Sequence, residues 1–139
     1  MSASNWADVE TGQEIPSLVK NITMRQLVMW AGVSGDFNPL HYDCDFAASR
    51  GLPNVVAHGQ LVAAFLCQML SNWQGAACRL KKLDISYREF NYLGDTITCC
   101  GRVREVSSDR RSVTVEIWAE NQRGEKTVCG NALLQFDGP

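Results

Sequence analysis

The stretch SGDFNPLHYD, residues 34–43, gathers a carboxylate, an amide and an imidazole at Asp36, Asn38 and His41. A neutral imidazole can accept or pass on a proton near pH 7, and a carboxylate beside it can share that work. The plainer reading of the same residues is helix punctuation, with Asn38 as N-cap, Pro39 as the first helical residue and Asp36 as a loop acid. If Asn38 is the cap, His41 falls at the third helical position. Free N–H groups and the positive end of the helix dipole there disfavour a protonated ring and stabilise the Asp36 carboxylate. An acid/base pair around one water molecule is then a coherent arrangement.

The other histidine, His58, precedes Gly59. His58 is read either as a residue satisfied by backbone at a helix entrance or as part of the same site. Gly59, lacking a side chain, lets a ligand approach the free N–H groups of a first helical turn, which can stabilise negative charge growing on a carbonyl oxygen. An acid/base pair at one helix start and an oxyanion donor at another suit the reversible addition of water across the α,β double bond of a thioester. A metal is not expected. His41, Asp43, Cys44 and Asp45 would spread around a helix, no second cluster supplies further ligands, and Asp43 and Asp45 read as early-helix acids.

These residues need elements to hold them. Thr23 and Gln26 have the spacing of a capping box, which predicts a helix over about 24–33 ending before Gly35. A second short helix is predicted from Asn38 to a stop at Gly51. The segment Gly59–Asn72, GQLVAAFLCQMLSN, is apolar on nearly every side, so it must be a wrapped central helix. The stretches LKKLDISYREF, DTITCCGRVREV, RRSVTVEIWAE and EKTVCGNALLQF are β-rich, with alternation such as Val113, Val115 and Ile117. Short polar or glycine-containing links between them favour an antiparallel meander. A strand near Leu18–Thr23 would complete an α+β fold, a five-stranded antiparallel sheet around one long central helix.

Composition narrows the function further. Hydrophobic residues at 45% and charged residues at 20% are globular values, and residues 1–139 read as one domain. A formal charge of −2 gives no general pull toward nucleic acid or an anionic membrane. The longest apolar stretch is half a bilayer span and the N-terminus lacks an export pattern, so a cytoplasmic protein is expected. The six irregularly spaced cysteines are expected to be reduced and packed as small hydrophobes, with Cys99 and Cys100 on opposite strand faces.

SGDFNPLHYDCDFAASRG followed by AHGQL resembles the hydratase 2 signature of the MaoC-like hydratases and dehydratases. That family includes (R)-specific enoyl-CoA hydratases and (3R)-hydroxyacyl-ACP dehydratases of the HadB type. The similarity runs from about Arg25 through FNYLGDTITCCGRV to the last strand. It implies a hotdog fold, no cofactor, and an acyl-CoA or acyl carrier protein thioester as substrate. Asp36 and His41 match the catalytic dyad, Asn38 the supporting amide, and Gly59 the backbone donor to the thioester carbonyl. His58 matches the HG step and is placed with Asn38 and Gly59 among the substrate-binding residues. A serine found in the long helix of some members is replaced here by Ala63, Ala64 and Cys67. A homodimer is expected, with a heterodimer of related hotdog subunits as the alternative. The competing functions are a non-catalytic or partner-dependent subunit and, further off, an acyl thioesterase, whose usual helix carboxylate is missing. Arg79, Lys81, Lys82 and Arg88 could meet substrate phosphates or a carrier's acidic face, but are more simply the solvated side of strands.

Overall fold

A computed structural model describes residues 6–75 and 78–136 of the chain. The ends of the expected single domain, residues 1–5 and 137–139, lie outside that range. The alternation read at residues 113–117 becomes β4, Ser112–Glu120, whose Val113, Val115, Ile117 and Ala119 are all buried. β3, Thr96–Val106, repeats the pattern through Ile97, Cys99 and Val103, and β5, Lys126–Phe136, through Val128, Ala132, Leu134 and Phe136. Period-two burial gives each strand one dry face. β1, Glu14–Asn21, and β2, Cys78–Tyr87, complete a five-stranded antiparallel sheet in the order β1-β3-β4-β5-β2. Irregular register occurs in all four pairings, as at Ile15/Leu18 and Val103/Glu105. Such bulges bend strands, and here the sheet curves around a helix.

That helix is α3, Gly59–Gln74, whose Leu61, Val62, Phe65, Leu66, Met69, Leu70 and Trp73 enter the same core as the strands. α1, Met24–Ser34, starts with the expected capping box, Thr23 accepting from the Gln26 backbone and Gln26 from the Thr23 backbone. It buries Leu27 and Ala31, one turn apart, and stops at Gly35, whose φ of 75° a side chain would oppose.

Three expectations are corrected. The second helix is not continuous: Pro39–His41 form one 3₁₀ turn, Tyr42 leaves helical geometry, and α2 runs only Cys44–Ser49. Asp43 is the cause. In extended geometry, its carboxylate accepts from the Phe46 backbone and starts a new helix where the first would have continued. Only β3-β4-β5 form a meander. β2 pairs with β5 instead of β3, so residues 88–95 cross the end of the sheet, held by Ala57 N–H to the Asn91 carbonyl and a Val56–Tyr92 bridge. The first strand also lies earlier than expected, because Thr23 is already spent as the α1 cap.

None of the six cysteines forms a disulfide. Cys99 is fully buried and Cys100 half-buried on the opposite strand face. Burial pushes the Cys99 thiol up to about 12 and raises Cys67 and Cys100 as well. No helix among the described residues is long and apolar enough to cross a membrane.

Candidate active site

Gly35 ends α1 and delivers Asp36 into the turn before Pro39. One carboxylate oxygen of Asp36 accepts from the Asn38 backbone N–H at 3.3 Å, and the Asn38 side chain accepts from Leu40 N–H at 3.1 Å. These local bonds leave Asp36 Oδ2 facing His41 Nε2 at 3.5 Å. Direct N–H···O hydrogen bonds are shorter, so the spacing suits a shared third group better than a direct bond. The carboxylate side chain is 52% exposed and the imidazole 13%, which puts the acid at the mouth of the site and the ring inside it.

His41 Nδ1 lies 2.6 Å from the Val56 carbonyl oxygen. A carbonyl can only accept, so Nδ1 carries a proton, and the neutral tautomer this selects presents the Nε2 lone pair toward Asp36. The helix dipole expected to act on His41 is not available from a single 3₁₀ turn. The Val56 carbonyl fixes the tautomer instead. Nothing in the sequence marks that acceptor, because it is a backbone atom fifteen positions away.

His58 stacks on His41, ring centroids 3.7 Å apart and planes 19° from parallel. Its Nε2 donates to the Asp36 backbone carbonyl at 3.1 Å, while Nδ1 is buried without a partner. The residue is 2% exposed, so it stands behind the dyad rather than on the open surface. Burial lowers its pKa first; the bond to the Asp36 carbonyl works against the shift, and the neighbouring His41 adds to it. The ring is therefore held neutral.

Gly59 is the first residue of α3, with His58 as an N-cap whose side chain makes no capping bond. Leu61 N–H bonds the His58 carbonyl at 3.1 Å, whereas the Gly59 and Gln60 N–H groups before it have no acceptor inside the helix. The space a side chain would take is filled: a Cβ at Gly59 would lie 2.8 Å from Tyr87 Cε1 and 3.1 Å from its Cζ. The glycine thus makes room for an aromatic ring from the end of β2, a distant neighbour in the chain that sequence reasoning did not find. The structure brings Asp36, Asn38, His41, His58 and Gly59 into one neighbourhood. It leaves Cys44 and Asp45 exposed on α2 and Arg79, Lys81, Lys82 and Arg88 exposed along β2 and just after it.

Ligand-type atoms of Asp36, His41 and His58 fall within 4.8 Å of one another. An imidazole binds a metal in the plane of its ring at roughly 2.0–2.1 Å. Two nearly parallel rings 3.7 Å apart cannot both meet one ion that way. The stacking does not suit joint ligation of one ion by both rings.

A family model described as MaoC like domain matches residues 8–125. The chain belongs to the MaoC-like domain family. Among MaoC-like relatives, an (R)-specific enoyl-CoA hydratase of Aeromonas caviae is 27% identical over 92% of this chain and 96% of its own length. Another of the same name from Rhodospirillum rubrum is 29% identical over 94% and 85%. The solved structure of the R-hydratase PhaJ1 of Pseudomonas aeruginosa, in the unliganded form, superposes with a TM-score of 0.89 and 27% identity, covering 96% of this chain and 86% of that one. The MaoC-like chain therefore has the hotdog fold, α3 being the helix enclosed by the sheet.

Proposed function

We propose that this MaoC-like chain is a hydro-lyase that adds water reversibly to trans-2-enoyl thioesters, giving (3R)-3-hydroxyacyl thioesters. The observation that carries the reading is the pair of facing acceptors, Asp36 Oδ2 and His41 Nε2, 3.5 Å apart beside the start of α3. A water between them donates one hydrogen to each, leaving its oxygen lone pairs directed at the β-carbon. As the carbon–oxygen bond forms, the double-bond electrons move toward the carbonyl and an enolate-like oxygen develops. The free N–H of Gly59 and the positive end of the sixteen-residue α3 stabilise that oxygen. The proton taken from the water returns to the α-carbon, so the pair ends each cycle in its starting state. Reversal is dehydration.

Asn38 shapes the turn that aims Asp36. His58 acts through His41 and the Asp36 backbone. The names of the relatives favour coenzyme A as the carrier, and two full-length relatives named (R)-specific hydratases support the stereochemistry. Their coverage supports one hotdog domain spanning the chain; a homodimer is the proposed working form, with a heterodimer of related hotdog subunits as the alternative. A thioesterase reading is disfavoured because α3 carries no carboxylate.

The test is hydration of crotonyl-CoA and longer trans-2-enoyl-CoA substrates, followed by loss of the conjugated enoyl absorbance and chiral analysis of the product. The expected product is the (R)-3-hydroxyacyl thioester. Formation of the (S) product, or no hydration of these substrates on coenzyme A or of the same acyl chains on acyl carrier protein, would overturn the reading.

A further inference from the structure

Tyr87 ends β2 opposite Val128 and is 54% exposed, yet one edge of its ring, from Cδ1 to Cζ, is pressed against Gly59. The ring atoms nearest the place a Cβ would take are Cε1 at 2.8 Å, Cζ at 3.1 Å and Cδ1 at 3.2 Å, and Cζ bears the hydroxyl. A helical Cα–Cβ bond tilts toward the N-terminus, the direction in which the free N–H groups of the first turn also point. The phenol oxygen, one bond beyond Cζ, is therefore close to the first turn of α3, whose free N–H groups would hold a substrate carbonyl. Filling the gap at Gly59 needs only a benzene ring, so packing leaves the hydroxyl unexplained. We propose that the Tyr87 hydroxyl donates a second hydrogen bond to the thioester carbonyl oxygen received by the Gly59 N–H.

Burial raises the Tyr87 pKa, which keeps the phenol a protonated donor. Two donors on one oxygen stabilise the enolate-like state more than the uncharged carbonyl, so the hydroxyl acts on kcat more than on KM. The assignment rests on the hydration reading and is tested with Tyr87→Phe, which keeps the ring against Gly59. The expected result is a fall in kcat of about tenfold or more with little change in KM and an unchanged melting temperature. The second readout is the infrared carbonyl stretch of crotonyl-CoA bound to Asp36→Asn protein. It should rise in frequency when Tyr87→Phe is added, because a donor to that oxygen has been lost. An unaltered kcat, or a fall in kcat with an unaltered carbonyl frequency, overturns the role of Tyr87 and leaves the hydration reading standing. A wild-type protein that turns over no enoyl thioester overturns the hydration reading, and this assignment with it.

Discussion

His58 cannot take a proton on Nδ1 without placing a charge in a buried position against a second imidazole. In the unfolded chain the same residue titrates near 6.5. Below that pH the unfolded chain binds a proton that the folded protein resists, so stability falls as the pH drops and does not change on this account above it. The melting temperature should therefore decline as the pH falls below about 6.5, and His58→Gln should flatten that decline. Parallel wild-type and variant curves would remove His58 as the source. The dyad makes a separate prediction at neutral pH. Asp36→Asn loses one acceptor for the water and His41→Ala the other, and each should lower kcat/KM by about a hundredfold or more with the circular dichroism spectrum intact. Wild-type rates in either variant would reject that residue's assignment. The proximity of Asp36 and His41 was legible because both lie in one motif. The partners that orient them were not: a carbonyl at Val56 has no residue identity, and the stack of His58 on His41 depends on how residues 52–58 return across the turn.

The element that controls where Asp36 stands is the end of α1. Gly35 has a φ of 75° and its N–H closes the helix on the Ala31 carbonyl, so the chain reverses there and leads Asp36 toward His41. Gly35→Ala places a Cβ in the left-handed region and should destabilise the fold by about 1–2 kcal/mol. Because the strain falls next to the acid, kcat should drop further than the stability loss alone explains. Chemical denaturation and kinetics on the same preparation measure both effects, and an unchanged kcat would separate the cap from the site. The helix stop at Gly35 and the capping box at Thr23 were readable as local chemistry. The break at Tyr42 was not, because Asn38 and Asp43 are both good caps and only the folded turn reveals that both are used. The placement of β2 beside β5 was equally hidden: short links favour neighbours, and the link at 88–95 is anchored to residues 55–57 instead of closing a hairpin.

At the scale of the whole molecule, α3 is more apolar than its own sheet requires. The sequence shows apolar character nearly all round, while the chain buries the side that carries Leu61, Val62, Phe65, Leu66 and Met69. Ala63, Ala64 and Cys67 remain half-exposed on the other side, and β1 and β2 are sheet edges, with no buried residue along β2. A second copy would cover small residues and an open edge together, which is the physical case for the proposed homodimer. Light scattering after gel filtration should then give a mass twice that of one chain. Ala64→Glu puts a carboxylate against that covered face, where desolvation opposes association, and should shift the mass toward one chain. The partner-dependent alternative gives a different pattern: the purified chain runs as a monomer and doubles only when a related hotdog subunit is added. A wild-type chain that stays monomeric by itself, yet hydrates enoyl thioesters at full rate, would overturn the homodimer as the working form.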